Sequence, residues 1–149
     1  MAPPRALTFR IALVRLTTQM NSYLRRIAQA FADRIIPPGG DIPYAYADTH
    51  GLAFLENYLA QLPAGSAFGL KAMLAAMDLG PILFIFRPCR FVNLSAENQD
   101  RYLTDWQESR IYWRRMALVL LKTLFGMGFY SDPQVLKHLG WYETCGKSS

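Results

Sequence analysis

Apolar positions recur at three- and four-residue steps along most of this chain, the spacing that lines up one face of an α-helix. Met20, Tyr23, Leu24, Ile27, Phe31 and Ile35 follow it, while Arg25, Arg26, Gln29 and Asp33 fall largely on the other side. Pro37-Pro38-Gly39-Gly40 ends that segment, because proline cannot continue a helix and glycine resists one. The upstream stretch Leu7–Leu16 either extends this helix or forms a separate amphipathic piece. A second helix is expected from Asp48 or Thr49, with Leu52, Leu55, Tyr58, Leu59 and Leu62 on its face, stopping at Pro63–Ser66.

A third helix runs from Ala67 through Met73, Leu74 and Met77 and is expected to kink or restart at Pro81. Residues 82–86 (ILFIF) suit a helix end or a short strand; helix is chosen because no other segment supplies a partner strand. Ser95, followed by Glu97 in the first turn, is the best cap in the chain. Gln99, Tyr102, Leu103 and Trp106 mark the inward side of the helix it opens. The next helix starts after Ser109 and carries Met116, Leu120, Leu124 and neighbours, with Gly126 and Gly128 loosening its end. Asp132-Pro133 restarts a short helix that Gly140 stops. The expected fold is all-α, a single-domain irregular bundle of five to six helices. Residues 1–19 form an N-terminal extension, 20–142 the helical domain and 143–149 a tail.

The apolar stretch Ala67–Phe86 is long enough to raise the question of a membrane span. Lys71, Asp78 and Gly80-Pro81 interrupt it, and an acid at the bilayer centre is expensive, so a buried core helix is the better reading. Arg10 and Arg15 interrupt the N-terminal apolar stretch, and Arg25-Arg26 lies inside a helical pattern rather than before an apolar run. The expected location is therefore cytoplasmic, with the periplasm, as part of a complex, as the alternative.

Composition adds one inference. Hydrophobic residues make up 52% of the 149 residues and charged ones only 18%, below the usual quarter. That leaves too few charges to coat the surface of a monomer, so a partner subunit or a membrane is expected to cover some apolar surface. The net charge of +5 is too dispersed to select a class of partner. Arg87, Arg90, Arg110, Arg114 and Arg115 alternate with Tyr112 and Trp113. That pattern suits aromatics in the core with arginines along its rim and, equally, a protein–protein interface, and no nucleic acid is expected as partner.

Reactive chemistry is sparse. The two histidines, His50 and His138, and the two cysteines, Cys89 and Cys145, show no metal-ligand spacing. The cysteines are expected to be reduced thiols, and His138 to cap or pack near its short helix. Ser66, Ser95 and Ser109 sit where caps and turns need them, and no glycine-rich phosphate motif occurs. No catalytic, metal or cofactor-binding residue is assigned. If an enzymatic site exists, Tyr44, Tyr46, Asp48 and His50 in the 37–50 loop are its candidates.

One pattern is more specific. Phe91, Leu94-Ser95, Tyr102-Leu103, Trp106, Ser109, Arg114-Arg115, Leu121-Lys122, Phe129–Pro133 and Leu139-Gly140, in that order, resemble the small-subunit family named for gluconate 2-dehydrogenase subunit 3. A similar stretch precedes the flavin domain of long-chain fatty alcohol oxidases. Ala28–Pro38 is similar to the family's opening helix and its proline-rich stop. The resemblance implies a non-catalytic subunit that supports the folding, stability or export of a large FAD-dependent dehydrogenase of the glucose-methanol-choline type. FAD is then expected in that partner and not in this chain. Many relatives carry a twin-arginine signal; this chain departs from that pattern. Arg110, Trp113, Arg114, Tyr130 and Trp141 are the expected interface or closely supporting residues, the alternative being that Trp113 and Trp141 are ordinary core. A membrane-surface role through Leu7–Leu16 and Ala67–Phe86 is the second reading.

Overall fold

The computed structural model describes residues 20–84 and 88–141. The Leu7–Leu16 helix, the end of the 82–86 run, Arg87, Cys145 and the 143–149 tail lie outside the described residues. The described chain is all-α, an irregular bundle of six helices with no strand among the described residues. They are α1 (Ser22–Ile35), α2 (Gly51–Gln61), α3 (Ala64–Phe84), α4 (Ala96–Gln107), α5 (Tyr112–Tyr130) and α6 (Pro133–His138). Single 3-10 turns at Tyr46–Asp48 and Phe91–Asn93 join α1 to α2 and α3 to α4.

The centre is α1. It packs against α2, α3, α4, α5 and both 3-10 turns. Leu24, Ile27, Ala28, Phe31 and Ala32 are its buried residues, in the period the sequence shows. Phe31 stacks face to face on Phe91, with ring centroids 4.0 Å apart, and Tyr102 and Trp106 of α4 continue the aromatic row. Asn21 caps α1, its Oδ1 accepting the Leu24 N–H at 2.9 Å. The Pro37–Gly40 loop turns at Gly39, whose φ of +92° favours glycine.

Several boundaries differ from the sequence reading, each for a local reason. Asp48 caps the 3-10 turn, accepting the Ala45 N–H at 3.0 Å, so α2 opens later, at Gly51. Ala64–Ser66 form the first turn of α3 rather than a break, with Pro63 immediately before them. Ser95 occupies the cap position of α4, but its hydroxyl accepts from the Asn98 side chain at 2.8 Å and bonds no backbone amide. Gly126 and Gly128 do not loosen α5, which runs on to Tyr130. Gly128 instead lets α5 press against α2: a Cβ there would lie 3.3 Å from the Gly51 carbonyl and 3.2 Å from the Phe54 ring. At Asp132-Pro133 the expectation holds, the carboxylate accepting the Gln134 N–H at 2.9 Å. Gly140, at φ +76°, ends α6 with the paired bonds of a Schellman motif, Gly140 N–H to Lys137 O and Trp141 N–H to Leu136 O.

Pro81 gives the most instructive correction. It lies inside a continuous α3 instead of restarting it. Proline at this position removes the amide that would bond the carbonyl four residues back, that of Met77. The buried Tyr102 hydroxyl of α4 takes the amide's place, donating to the Met77 carbonyl at 2.9 Å. Gly80 makes room for it, since a Cβ there would overlap the Tyr102 hydroxyl. The backbone bond that Pro81 forfeits is thus replaced by a cross-helix bond between α4 and α3.

Asp78, one turn earlier on α3, is wholly buried. Its Oδ2 accepts from the Tyr23 hydroxyl at 3.0 Å and its Oδ1 from the Val92 N–H at 3.1 Å. One acid thereby joins α1, α3 and the Phe91–Asn93 turn. By length and composition α3 could cross a membrane over Ala64–Leu83, with 39% of that window buried in the fold.

Candidate interaction face

Helix α5 places Leu118, Leu121, Leu124, Phe125, Gly128 and Phe129 in the core, against α1, α2 and α4. Met116 and Leu120 point outward, while Leu124 is buried. The sequence does not decide this because α5 is apolar on nearly every side, so period alone does not say which side faces in. At about 100° per residue, Tyr112, Trp113, Met116, Val119, Leu120, Thr123, Met127 and Tyr130 share the outward arc. All eight are exposed, and no charged residue interrupts them. Arg115 and Lys122 flank the arc on one edge. A helix hydrophobic all round belongs in a buried setting.

The size of this arc matters. Large side chains present roughly 200 Å² each, and the seven apolar ones here are about half exposed, which gives on the order of 700 Å². Monomer surfaces carry largest apolar patches of about 300–600 Å². A standard interface buries about 800 Å² on each partner. The α5 arc is therefore interface-sized.

Four of the five residues expected at an interface are exposed. Trp113 (77% exposed) and Tyr130 (53%) stand on the α5 arc, and Trp113 packs edge-on against Tyr112. Trp141 (72%) follows α6, and Arg110 is exposed in the link between α4 and α5. Neither Trp113 nor Trp141 is core, and Tyr112 is not core either. Arg114 is turned inward: it pairs with Asp105 at 2.8 Å and lies over the Trp106 ring at 5.0 Å, supporting the α4–α5 corner from within. The signal for the residues missed (Met116, Val119, Leu120 and Met127) was already present, as apolar residues filling the side of α5 opposite its core.

The four loop residues considered for catalysis are occupied separately. The buried Tyr46 ring packs on Gly51 and edge-on against Phe125, and Asp48 caps its own turn. Tyr44 lines a cleft and meets His138 edge-on. His50 bonds Asp132 of the α5–α6 link twice, through its backbone N–H and through Nδ1, each at 2.8 Å. A carboxylate only accepts, so Nδ1 carries the proton in this pair and Nε2 is the outward nitrogen. Burial pushes the Asp132 carboxyl up, but the two His50 bonds, the Gln134 N–H and the His50 charge outweigh it and hold it below the ordinary aspartate value. Its three bonds join the starts of α2 and α6. Among the described residues, no three His, Cys, Asp or Glu side chains gather in a metal-holding group. No protein-family model, curated protein or solved structure matches this chain.

Proposed function

We propose that this chain is a non-catalytic small subunit that binds and stabilises, or helps to fold, a large FAD-dependent dehydrogenase of the glucose-methanol-choline type. The observation that carries the subunit reading is the uncharged outer arc of α5. Covering about 700 Å² of apolar surface approaches the area that one partner gives to a standard interface. The flavoenzyme as partner rests on the family resemblance carried by Phe91–Gly140. Trp113 and Tyr130 are the anchors at either end of the arc; Arg110 precedes it in the α4–α5 link, Arg114 holds the corner beneath, and Trp141 is exposed after α6.

Co-expression with a large FAD-dependent dehydrogenase of this type is the test. The flavin absorbance should copurify with the tagged chain, and the chain alone should self-associate. Val119→Asp with Leu120→Lys should abolish copurification while the far-ultraviolet circular dichroism stays unchanged. A monodisperse, highly soluble monomer that captures no flavoprotein sinks the proposal. The exposed Phe68 and Leu83 of α3 favour a second reading, attachment to a membrane surface. Flotation with anionic liposomes decides it, since absence of binding removes that reading and leaves the first.

A further inference from the structure

A cleft of about 310 Å³ opens where α1 and α5 both end. Its apolar lining comes from Ile35, Ile36, Ile42 and Phe129, and Tyr44 and Tyr130 contribute their rings. Asp41 is the one charged residue among those that line it. The volume is at the small end of the range for ligand pockets, about 300–1,000 Å³.

Three features give this cleft one electrostatic sign. Asp41 is exposed on the lining loop. The C-termini of α1 and α5 both arrive here, and each carries a partial negative charge of about half a unit. The last turn of α5 holds no basic residue, and Arg34, the basic residue in the last turn of α1, is turned to Asp100 at 3.5 Å. Aromatic faces add attraction for a cation. The loop is fixed in place by His138, whose Nε2 lies 3.3 Å from the Asp41 carbonyl while its ring meets Tyr44 edge-on.

We propose that this cleft binds an organic ammonium group carrying an aryl or alkyl tail, the tail against the isoleucines and Phe129 and the ammonium toward Asp41. Such a group arrives on a free amine or on a lysine presented by another chain. The site shares Tyr130 with the α5 arc, and its other lining residues lie outside that arc.

The test uses the full chain with isoleucine methyls labelled for NMR. It is titrated with 2-phenylethylammonium, 2-phenylethanol and phenylacetate, which share the ring and differ in charge. The ammonium should bind about tenfold tighter than the anion, with the Ile35, Ile36 and Ile42 methyls shifting, because an ion pair and two helix ends act in the same direction. Asp41→Asn should bring the three ligands within about threefold of each other while the remaining methyl spectrum is unchanged. A second arm compares acetyl-Phe-Lys-amide with acetyl-Phe-norleucine-amide. Preference for the lysine peptide identifies a partner's side chain as the source, and binding of the free amine alone identifies a small molecule. Equal or tighter binding of phenylacetate, shifts confined to methyls outside the cleft, or an Asp41→Asn variant that discriminates as before would overturn the proposal.

Discussion

Tyr102→Phe tests whether a side chain on α4 restores the backbone bond that Pro81 removes from α3. The hydroxyl lies 2.9 Å from the Met77 carbonyl and is buried. Burial pushes this phenol well above its ordinary value. Losing the hydroxyl orphans a buried carbonyl, at about 1–3 kcal/mol. That corresponds to roughly 0.5–1.5 molar in the urea midpoint at a slope of about 2 kcal/mol per molar. A double-mutant cycle isolates this component. Pro81→Ala returns an amide to α3 that can bond the Met77 carbonyl directly. In that background Tyr102→Phe should cost little, giving a coupling energy of about 1–3 kcal/mol. Urea unfolding followed by circular dichroism measures all four proteins. If Tyr102→Phe costs the same with proline or alanine at position 81, the substitution of hydroxyl for amide is wrong.

Three further outcomes follow from buried polar groups. Asp132→Ala should cost about 2–4 kcal/mol, combining a lost helix cap with an orphaned His50 N–H, and melting curves will show it. Because the folded Asp132 carboxyl is held below its ordinary value of 3.8, its contribution is complete above that pH and is lost as pH falls through the folded value. Stability of the native protein should accordingly drop more steeply below about pH 4 than that of Asp132→Ala. Asp78→Ala removes the acceptor for the Tyr23 hydroxyl and the Val92 N–H, and hydrogen exchange at Val92 should accelerate along with a loss of about 2–4 kcal/mol. Tyr46→Phe goes the other way. The buried Tyr46 hydroxyl has no hydrogen-bond partner among the described residues, so its removal should be neutral or stabilise by about 1 kcal/mol in the same unfolding assay.

The fold class was legible because local periodicity and turn chemistry agree. Leu24, Ile27 and Phe31 on α1, and Tyr102, Leu103 and Trp106 on α4, are buried as their spacing requires. Asp132-Pro133 and Gly140 act as written because a cap and a left-handed turn are local devices. What escaped the sequence is what depends on residues distant along the chain. Pro81 stays inside a helix because Tyr102, far downstream, reaches its orphaned carbonyl. Asp78 reads as an interruption and is instead a buried tie between three elements. The His50–Asp132 pair spans most of the domain and leaves no local signature. On α5 the period was present on both sides, so the sequence could not tell the core side from the outward arc.

The central position of α1 has a consequence for synthesis. α1 also packs against α5, whose core residues emerge some ninety residues later. At about 5–20 residues per second, that delay is roughly 5–20 s. During that interval α1 can pack only against α2, α3, α4 and the two 3-10 turns, and its contacts with α5 form last. Truncation before Tyr112 should therefore yield a chain that proteases clear.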